Sequence, residues 1–379
     1  MSAQAIDDIR HMSDALRQAR QGLYTTQPNP RVGCVIVKDG VVVGEGFHAR
    51  AGGPHAEVVA LKQAGYRAYG ATVYVTLEPC AHHGRTPPCA NELVIAGVKR
   101  VVAATLDANP LVAGKGMKIL EAAGIETRVG VLEDEARALN VGFLRRIADE
   151  DGGGLPLVRV KVAASLDGRT GMANGESKWI TGPDARRDVQ KWRAMSSAII
   201  SGIGTVLADD PEFTVRPEDW SEWHYGEVVP PWRVILDSDF RTPIKAKLFS
   251  GKGRVIIVGT HSQLDKQTAL SDAGAEIWVL PKKDASGKNS GVDLQALLKK
   301  LGEEGANEVL VEAGATVSGA FARAGLVDEY VLYLAPVLLG STARPLLDWP
   351  LASMRDQRKL VITDTRMVGA DIRLLAKPK

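Results

Sequence analysis

Hydrophobic positions in the first third of the chain alternate between helical and strand-like spacing. Apolar residues three or four positions apart predict an amphipathic helix over Ile6–Gly22. The β-branched run Val32–Val37, a turn at Lys38–Gly40 and the apolar stretch Val41–Val43 predict a hairpin. Further helices are predicted at His55–Gln63, Cys89–Ala96 and Gly116–Ala123, and further strands at Thr72–Leu77, Arg100–Thr105 and Thr127–Val131. This alternation is typical of an α/β domain with a partly parallel sheet.

A second α/β pattern follows a short acidic and glycine-rich segment. Residues Asp149–Pro156 combine an acidic run with consecutive glycines and a proline, a composition that marks an exposed connection between domains. Beyond it, strands are predicted at Leu157–Ala163, Ala198–Ser201, Trp232–Leu236, Arg254–Gly259, Ile277–Leu280, Glu308–Glu312 and Glu329–Ala335, and helices at Asp184–Met195, Leu294–Leu301 and Val317–Ala324. We therefore predict two domains, over residues 1–150 and 155–379.

The composition is that of a globular protein with balanced charge. Hydrophobic residues make up 45% and charged residues 24% of the chain, which excludes a wholly disordered protein. The net charge of +2 argues against a nucleic-acid partner, because proteins that bind nucleic acids usually carry a basic excess. The longest apolar stretch, Val331–Leu339, is far shorter than the roughly 20 residues of a membrane helix, and the first residues lack a signal-peptide pattern. We expect a cytoplasmic protein that binds neither nucleic acid nor membranes.

Two of the three cysteines form a pattern that indicates a metal site. The sequence His55-Ala56-Glu57 opens a predicted helix, Cys80 follows a predicted strand after Pro79, and Cys89 begins another helix. His and Cys are the usual zinc ligands, and a catalytic zinc keeps three protein ligands and one water. Glu57 is close enough in sequence to take a proton from that water. Zinc nucleobase deaminases use this combination of H-x-E and P-C motifs.

The spacing of the cysteines leaves the ligand set open. Eight residues separate Cys80 from Cys89, instead of the two in the usual deaminase signature. The insert contains His82 and His83, either of which could be a fourth ligand. Four ligands would favour a structural zinc module, whereas three favour a catalyst. Cys34 lies in an apolar strand and is predicted to be a core residue.

Glycine-containing segments at the ends of predicted strands indicate ligand binding in the second domain. Gly202–Leu207 approaches the dinucleotide fingerprint but has leucine at the last glycine position. Glu312–Thr316 joins a strand to a helix, so it is either a phosphate-binding loop or a plain turn. Ala164–Gly168, Trp179–Gly182 and Ala208–Pro211 also lie where α/β proteins bind ligands.

The stretch Pro79–Cys89 resembles the zinc motif of the bifunctional riboflavin-biosynthesis deaminase/reductase family. Its long insert separates that family from cytidine and tRNA-adenosine deaminases, and Asn29–Gly33 and His48 also resemble the family's deaminase half. The resemblance implies an N-terminal cytidine-deaminase-like three-layer α/β/α domain that deaminates a free phosphoribosylaminopyrimidine. It further implies that His55, Cys80 and Cys89 bind Zn²⁺, that Glu57 shuttles the proton, and that Asn29 and His48 line the substrate pocket.

The segments of the second domain resemble the reductase half of the same family, which is similar in fold to dihydrofolate reductase. This resemblance implies an α/β domain that uses NADPH to reduce the ribose of the deaminated product to a ribityl side chain. The residues implied to contact the nucleotide are Ala164, Trp179, Thr181, Thr205, Asp209, Gly314, Ala315, Thr316, Val317, Ser318, Gly319 and Ala320. The residues implied to contact the substrate are Ser177, Arg193, Phe213, Arg216 and Glu312, whose two arginines suit a phosphorylated sugar. No general acid is identified.

A polynucleotide or free nucleoside deaminase with an accessory domain is the alternative function. A polynucleotide enzyme would share the zinc chemistry but would be expected to have a basic groove with stacking aromatic residues. Aromatic residues make up only 5% of this chain, which argues against such a groove. The alternative also leaves the second domain unexplained. The sequence is compatible with a homo-oligomer but fixes no oligomeric state.

Overall fold

The computed structural model of the chain divides into two compact units. It describes residues 2–81, 87–109, 112–148, 153–216, 225–283 and 291–379. The first unit contains the residues up to Leu155 and, among the described residues, a later segment at 225–229. The second unit contains the rest of the chain from Pro156. Residues 149–152 of the predicted connection lie outside the described residues.

The described part of the first unit is built on a five-stranded sheet. Its strands are β1 (Gly33–Lys38), β2 (Val41–Phe47), β3 (Thr72–Val75), β4 (Arg100–Ala103) and β5 (Glu126–Val129), in the order β2-β1-β3-β4-β5. Its helices are α1 (Ala3–Arg20), α2 (Ala56–Ala64), α3 (Cys89–Ile95), α4 (Lys115–Ala122), α5 (Glu133–Leu139) and α6 (Val141–Ile147), with a 3-10 turn at Gly65–Ala68. Strand β1 is antiparallel to β2 and β3, whereas β3, β4 and β5 are parallel.

Helices cover both faces of this sheet and give the three layers that the resemblance implies. Cys34 and Val35 are neighbours on β1 but belong to separate hydrophobic clusters, Cys34 with Ala60 of α2 and Val35 with Met12 of α1. Successive side chains of a strand point to opposite faces, so the two helices lie on opposite sides. A Cβ atom on Gly33 would lie 2.0 Å from a carbonyl oxygen of α1, so glycine is required for this close packing. The predicted burial of Cys34 is confirmed, since it is fully inaccessible.

The second unit contains, within its described residues, a nine-stranded sheet. Its strands are β6 (Leu157–Ser165), β7 (Ala198–Gly202), β8 (Trp232–Leu236), β9 (Val255–Gly259), β10 (Glu276–Val279), β11 (Glu308–Val311), β12 (Glu329–Ala335), β13 (Leu360–Val368) and β14 (Asp371–Pro378), in the order β10-β9-β8-β7-β11-β6-β12-β14-β13. Its helices are α7 (Pro183–Met195), α8 (Ile203–Asp209), α9 (Leu264–Asp272), α10 (Leu294–Glu303) and α11 (Ala315–Arg323), with 3-10 turns at Lys247–Phe249 and Met354–Asp356. In this spatial order, neighbouring strands from β10 through β6 to β12 are parallel. Strand β14 pairs antiparallel with β12, and β13 pairs antiparallel with β14.

The predicted fold class is confirmed, and most predicted elements agree with the structure within a few residues. Helices α5, α6, α8 and α9 and the β13–β14 hairpin were not predicted. Nearly every side chain of β13 is exposed, on both faces of the strand. Because neither face is buried, its sequence lacks the alternation of apolar and polar positions that marks a strand. In the part of the chain that the structure describes, we find no helix that is long and apolar enough to cross a membrane.

Candidate active sites

The three predicted metal ligands of the first unit lie together. His55 immediately precedes α2, Cys80 follows β3 and Cys89 begins α3, and one ligand atom from each lies within 4.8 Å of the others. His55 Nδ1 is 3.2 Å from Cys89 Sγ and 3.6 Å from Cys80 Sγ. A histidine and two cysteines are a known donor set for catalytic zinc, which takes a water as its fourth ligand. The residues present therefore fit a zinc ion.

The charge distribution of this group also suits a cation. A hydrogen bond from the Cys89 side chain is the main cause that lowers the pKa of Cys80 to about 4. The backbone N–H of Cys89 adds a second hydrogen bond, 3.3 Å from Cys80 Sγ. The same side-chain contact raises the pKa of Cys89, which is the donor, and a hydrogen bond to Cys80 raises the pKa of His55. These contacts favour the thiolate form of Cys80, and metal binding would favour loss of the Cys89 proton as well.

Glu57, the predicted proton shuttle, lies beside the ligand group. It occupies the first turn of α2 and is 3% exposed. Burial raises its pKa to about 7, and its carboxylate interacts with the Cys89 side chain. A carboxyl group with a pKa near the working pH can both accept and return a proton, as general acid–base catalysis requires.

Asn29 and His48, predicted to line the substrate pocket, meet near the ligands. The Asn29 amide donates to His48 Nε2 at 3.0 Å, and His48 Nδ1 donates to the Pro54 carbonyl oxygen at 3.0 Å. These bonds fix a neutral imidazole with its proton on Nδ1, and burial lowers the pKa of His48. The His48 ring packs edge-to-face on His55, with ring centres 5.5 Å apart.

Glu78 is a residue of this region to which the sequence analysis gave no role. It is 7% exposed, and its carboxylate accepts hydrogen bonds from the backbone N–H groups of Asp107, Gly114 and Gly116. The available signal was its position two residues before Cys80. The candidate fourth ligands His82 and His83 lie outside the described residues.

A partly buried carboxylate with two cationic partners lies at the end of β11 in the second unit. Glu312 receives two hydrogen bonds from Arg193, at 2.8 and 2.9 Å, and one from Lys161 at 3.3 Å. Burial opposes its ionisation, but the charges of Arg193 and Lys161 outweigh that effect and hold the pKa of Glu312 well below its usual range. Arg193 also donates to the Thr214 carbonyl oxygen and lies 5.9 Å from the Phe213 ring centre. Lys161 was missed because a lone lysine in an apolar strand carries no sequence signal.

The other two predicted substrate contacts are less enclosed. Ser177 is half-buried in the segment before α7, and Arg216 is exposed. The backbone N–H of Arg216 donates to the side chain of Gln190 at 3.1 Å. The structure therefore brings Arg193, Phe213 and Glu312 into one cluster and places Ser177 and Arg216 in flanking segments.

Several residues predicted to contact the nucleotide follow three neighbouring parallel strands. Ala164 lies near the end of β6, Thr205 lies in α8 after β7, and the segment Gly314–Ala320 follows β11. These strands are adjacent in the order β7-β11-β6, so their carboxyl ends share one edge of the sheet. A Cβ atom on Gly314 would contact nothing within 4 Å, which leaves the start of α11 open to a ligand.

The remaining predicted nucleotide contacts, Trp179, Thr181 and Asp209, lie near one another and interact with the charged side chains of Arg186 and Lys178. Trp179 is 72% exposed, and the Arg186 guanidinium lies 4.5 Å from its ring centre. The same arginine donates to the carbonyl oxygen of Thr181 at 2.8 Å. Asp209 lies 3.3 Å from the ammonium group of Lys178, the residue before Trp179. The structure thus brings Trp179, Thr181 and Asp209 into one region.

Comparison with known proteins identifies similar families in both units. The model of the cytidine and deoxycytidylate deaminase zinc-binding region matches residues 6–105, and that of the RibD C-terminal domain matches residues 156–374. The riboflavin biosynthesis protein RibD of Haemophilus influenzae is 49% identical over 378 residues, covering 98% of each chain.

Solved structures are similar over the whole chain. RibD of Acinetobacter baumannii is 46% identical and superimposes with a TM-score of 0.90, covering 100% of both chains. A diaminohydroxyphosphoribosylaminopyrimidine deaminase/5-amino-6-(5-phosphoribosylamino)uracil reductase of Thermotoga maritima is 31% identical, with a TM-score of 0.84, and covers 99% of this chain and 100% of that one. The similarity therefore extends through both units in the same order.

Proposed function

The chain belongs to the RibD family of riboflavin biosynthesis proteins, and from this premise we propose which of its residues perform the two reactions of that family. It is a bifunctional enzyme that uses zinc for deamination and NADPH for reduction. Because relatives match both halves of the chain, a polynucleotide or nucleoside deaminase with an accessory domain finds no support. The substrate is a small pyrimidine, and we propose 2,5-diamino-6-(5-phosphoribosylamino)pyrimidin-4-one as that compound. We also propose the domain boundaries 1–150 and 155–379, except that residues 225–229 group with the first unit.

In the deaminase unit, we assign His55, Cys80 and Cys89 as zinc ligands and Glu57 as the proton shuttle. Zinc, when bound, makes a water acidic enough to react at neutral pH. Glu57 accepts a proton from the attacking water and delivers it to the ring nitrogen. It then moves the remaining hydroxyl proton to the amino group, which leaves as ammonia while the water oxygen becomes a carbonyl oxygen. The observation that carries this assignment is the convergence of the three ligand atoms within 4.8 Å beside a buried carboxyl group. Asn29 and His48 orient the pyrimidine ring.

In the reductase unit, we assign the Glu312 cluster to substrate binding and Lys161 to proton transfer. NADPH, when bound, would supply the hydride that reduces C1 of the ribose. As the bond from C1 to the ring oxygen breaks, Lys161 gives a proton to that oxygen, and the nitrogen stays attached to C1. Glu312, held by Arg193 and Lys161, fixes the ammonium group in place. Ser177, Phe213 and Arg216 complete the substrate side, and the cofactor side consists of Ala164, Trp179, Thr181, Thr205, Asp209 and Gly314–Ala320.

Metal removal separates the two proposed reactions. We expect a chelator to stop deamination of the pyrimidine substrate and to leave NADPH oxidation with the deaminated substrate unchanged. The ultraviolet spectrum of the pyrimidine follows the first reaction, and absorbance of NADPH follows the second. Added zinc should restore the first reaction. Loss of both activities on chelation would contradict two separate sites.

The exposed edge of the second sheet supports a proposal about self-association. Strand β13 lies at the end of that sheet and exposes Leu360, Val361, Ile362 and Met367. Unpaired edges of this kind readily accept another strand, and a second copy of the chain supplies an identical one. We propose a homodimer that pairs through β13. Ile362→Lys should shift the sedimentation coefficient to that of a monomer, and an unchanged coefficient would contradict the pairing.

We further propose that the enzyme works in the cytoplasm and binds neither nucleic acid nor membranes. The thiol groups of Cys80 and Cys89 must stay reduced to bind zinc, which a reducing compartment ensures. The balanced net charge of +2 supports the absence of a nucleic-acid partner. Filter binding with tRNA and single-stranded DNA tests that part of the proposal, since retention of either at physiological salt would contradict it.

A further inference from the structure

The carboxylate of Glu78 is surrounded by backbone donors from a single stretch of chain. Oε2 accepts from the N–H groups of Asp107, at 3.2 Å, and Gly114, at 2.8 Å. Oε1 accepts from the N–H of Gly116 at 2.8 Å. The backbone of Glu78 is fixed as well, because its N–H donates to the Thr105 carbonyl oxygen at 3.0 Å. Glu78 thus connects the chain after β3 with the chain after β4.

Two of these donors belong to the beginning of helix α4. Gly114 is the residue that precedes α4, and it has no side chain with which to cap the helix. Helix N-termini present unsatisfied N–H groups and a partial positive charge, which a carboxylate stabilises. Glu78 therefore supplies from a neighbouring segment the cap that α4 lacks in its own sequence.

The first turn of α4 packs directly against the Pro79–Cys80 peptide. A Cβ atom on Gly116 would lie 1.9 Å from the carbonyl oxygen of Pro79, so the two backbones are in direct contact. Beyond Pro79, Cys80 is held in turn, because its carbonyl oxygen accepts from Ala90 at 3.2 Å. A shift of α4 would consequently move the Pro79–Cys80 peptide.

We propose that Glu78 is a positioning residue of the deaminase, which sets the place of Cys80 and of the chain that follows β4. Strands β3 and β4 are adjacent and parallel, so the segments after them share the edge of the sheet at which α/β proteins bind ligands. By anchoring both segments, Glu78 acts on metal binding through Cys80 and on substrate binding through the described residues after β4, 107–109 and 112–116. Glu78 itself touches neither. This inference rests on the zinc ligands proposed above.

Glu78→Gln is the main test, because it keeps the shape of the side chain and replaces one accepting oxygen with a donor that faces backbone N–H groups. We expect zinc affinity, measured by competition with a chromogenic chelator, to fall at least tenfold, and the KM of deamination to rise. Hydrogen exchange of the Gly114 and Gly116 amides should accelerate in the metal-free protein. Glu135→Gln, at an exposed position on α5, is the matched control, and reduction of the deaminated substrate should not change in either variant.

Other outcomes separate this role from a purely structural one and from an error in the ligand set. A lower melting temperature with unchanged zinc affinity and KM would overturn the proposal and leave Glu78 as a helix cap alone. If Glu78→Gln does not fold, Glu78→Asp replaces it as the test. Aspartate keeps the charge but is one methylene too short to reach both glycines. Normal zinc affinity in Glu78→Asp would overturn the proposal. Cys80→Ser tests the ligand set by itself. If Cys80→Ser loses zinc while Glu78→Gln binds zinc with normal affinity, only the role of Glu78 is rejected and the proposed ligand set stands.

Discussion

The pKa values of two glutamates, the buried Glu57 and the partly buried Glu312, are shifted in opposite directions by their surroundings. Burial dominates at Glu57 and raises its pKa to about 7. At Glu312, burial is outweighed by Arg193 and Lys161, so the pKa lies well below the usual range. A group of the first kind exchanges a proton at neutral pH, whereas one of the second kind stays charged and holds its partners in place. These environments agree with the different roles proposed for the two carboxylates.

Glu57→Gln should retain zinc and lose deamination. The amide has almost the same shape as the carboxylate but cannot accept the proton of the attacking water, so we expect kcat to fall by about 10²–10⁴-fold. Metal content by atomic absorption and the rate of the ultraviolet change measure the two effects. Glu135→Gln, at an exposed position, controls for the loss of one negative charge. A normal deamination rate would show that Glu57 does not move the proton.

Lys161→Met should abolish reduction without releasing the cofactor. Methionine approximates the length of the lysine stem but has no proton to give, so we expect the rate of NADPH oxidation to fall by about 10²-fold or more. NADPH binding, followed by fluorescence titration, should change little because all the proposed nucleotide contacts except Ala164 lie outside strand β6. Lys299→Met, at an exposed position on α10, is the control. If Lys161→Met still reduces the substrate at the parent rate, another group supplies the proton.

At the scale of elements, a buried acid joins helix α1 to three adjacent strands. Asp8 is fully inaccessible and accepts from Tyr74 of β3 at 3.0 Å, Arg100 of β4 at 2.7 and 3.0 Å, and Arg128 of β5 at 2.6 Å. Burial opposes its charge, but the hydrogen bonds from Arg100 and Tyr74 and the nearby guanidinium charges hold the pKa of Asp8 below its ordinary value. This network fixes α1 on its face of the sheet.

Asp8→Asn should destabilise the deaminase unit by about 3–5 kcal/mol at neutral pH, because it leaves the buried Arg100 with the exposed Glu126 in place of its buried charged partner. The lowered pKa means that Asp8 contributes fully above its ordinary value of 3.8 and loses that contribution as the pH falls further. The difference from the parent should therefore be equal at pH 7 and pH 5. Urea unfolding at both pH values measures it, with exposed Asp7→Asn as the control. A difference below about 1 kcal/mol would contradict the role of the network.

The sequence predicted elements where a periodic pattern exists and missed them where contacts with other segments determine the structure. Strands β8 and β12 have the predicted bounds because short, mostly apolar runs mark them. Strand β13 has no such pattern, since it is stabilised by pairing with β14. In the site, the proposed zinc ligands could be predicted from the H-x-E and P-C motifs. Glu78 and Lys161 could not be predicted, because their roles depend on partners more than 25 residues away in the chain.

At the scale of the whole molecule, the first unit is not continuous in sequence. Residues 225–229 follow α8 of the second unit in the chain but group with the first. The Val229 N–H donates to the Tyr24 carbonyl oxygen at 2.9 Å, and Tyr225 packs edge-to-face on Phe47, with ring centres 6.3 Å apart. Tyr24 lies at the beginning of the turn that leads to Asn29, so this segment supports part of the proposed substrate pocket.

Val229→Pro should impair deamination and spare reduction. Proline lacks the N–H that bonds to Tyr24, so we expect the turn before Asn29 to loosen and the KM of deamination to rise severalfold. Zinc content should stay normal because the ligands lie elsewhere in the unit. Steady-state kinetics with each substrate provides the test, and the reductase rate of the same variant is the internal control. Equal KM values for the variant and the parent would show that the segment does not support the pocket.

The discontinuous first unit limits how the gene can be divided. The glycine-rich connection is the obvious place to cut, and a break there would keep the described residues of the second sheet on one fragment. The other fragment would end before residues 225–229 and would lack the segment whose Val229 N–H bonds to the Tyr24 carbonyl oxygen. A monofunctional deaminase derived from this protein would thus need that segment appended or its surface redesigned. The two activities are separate in chemistry, yet the coding sequence cannot be split into two complete parts.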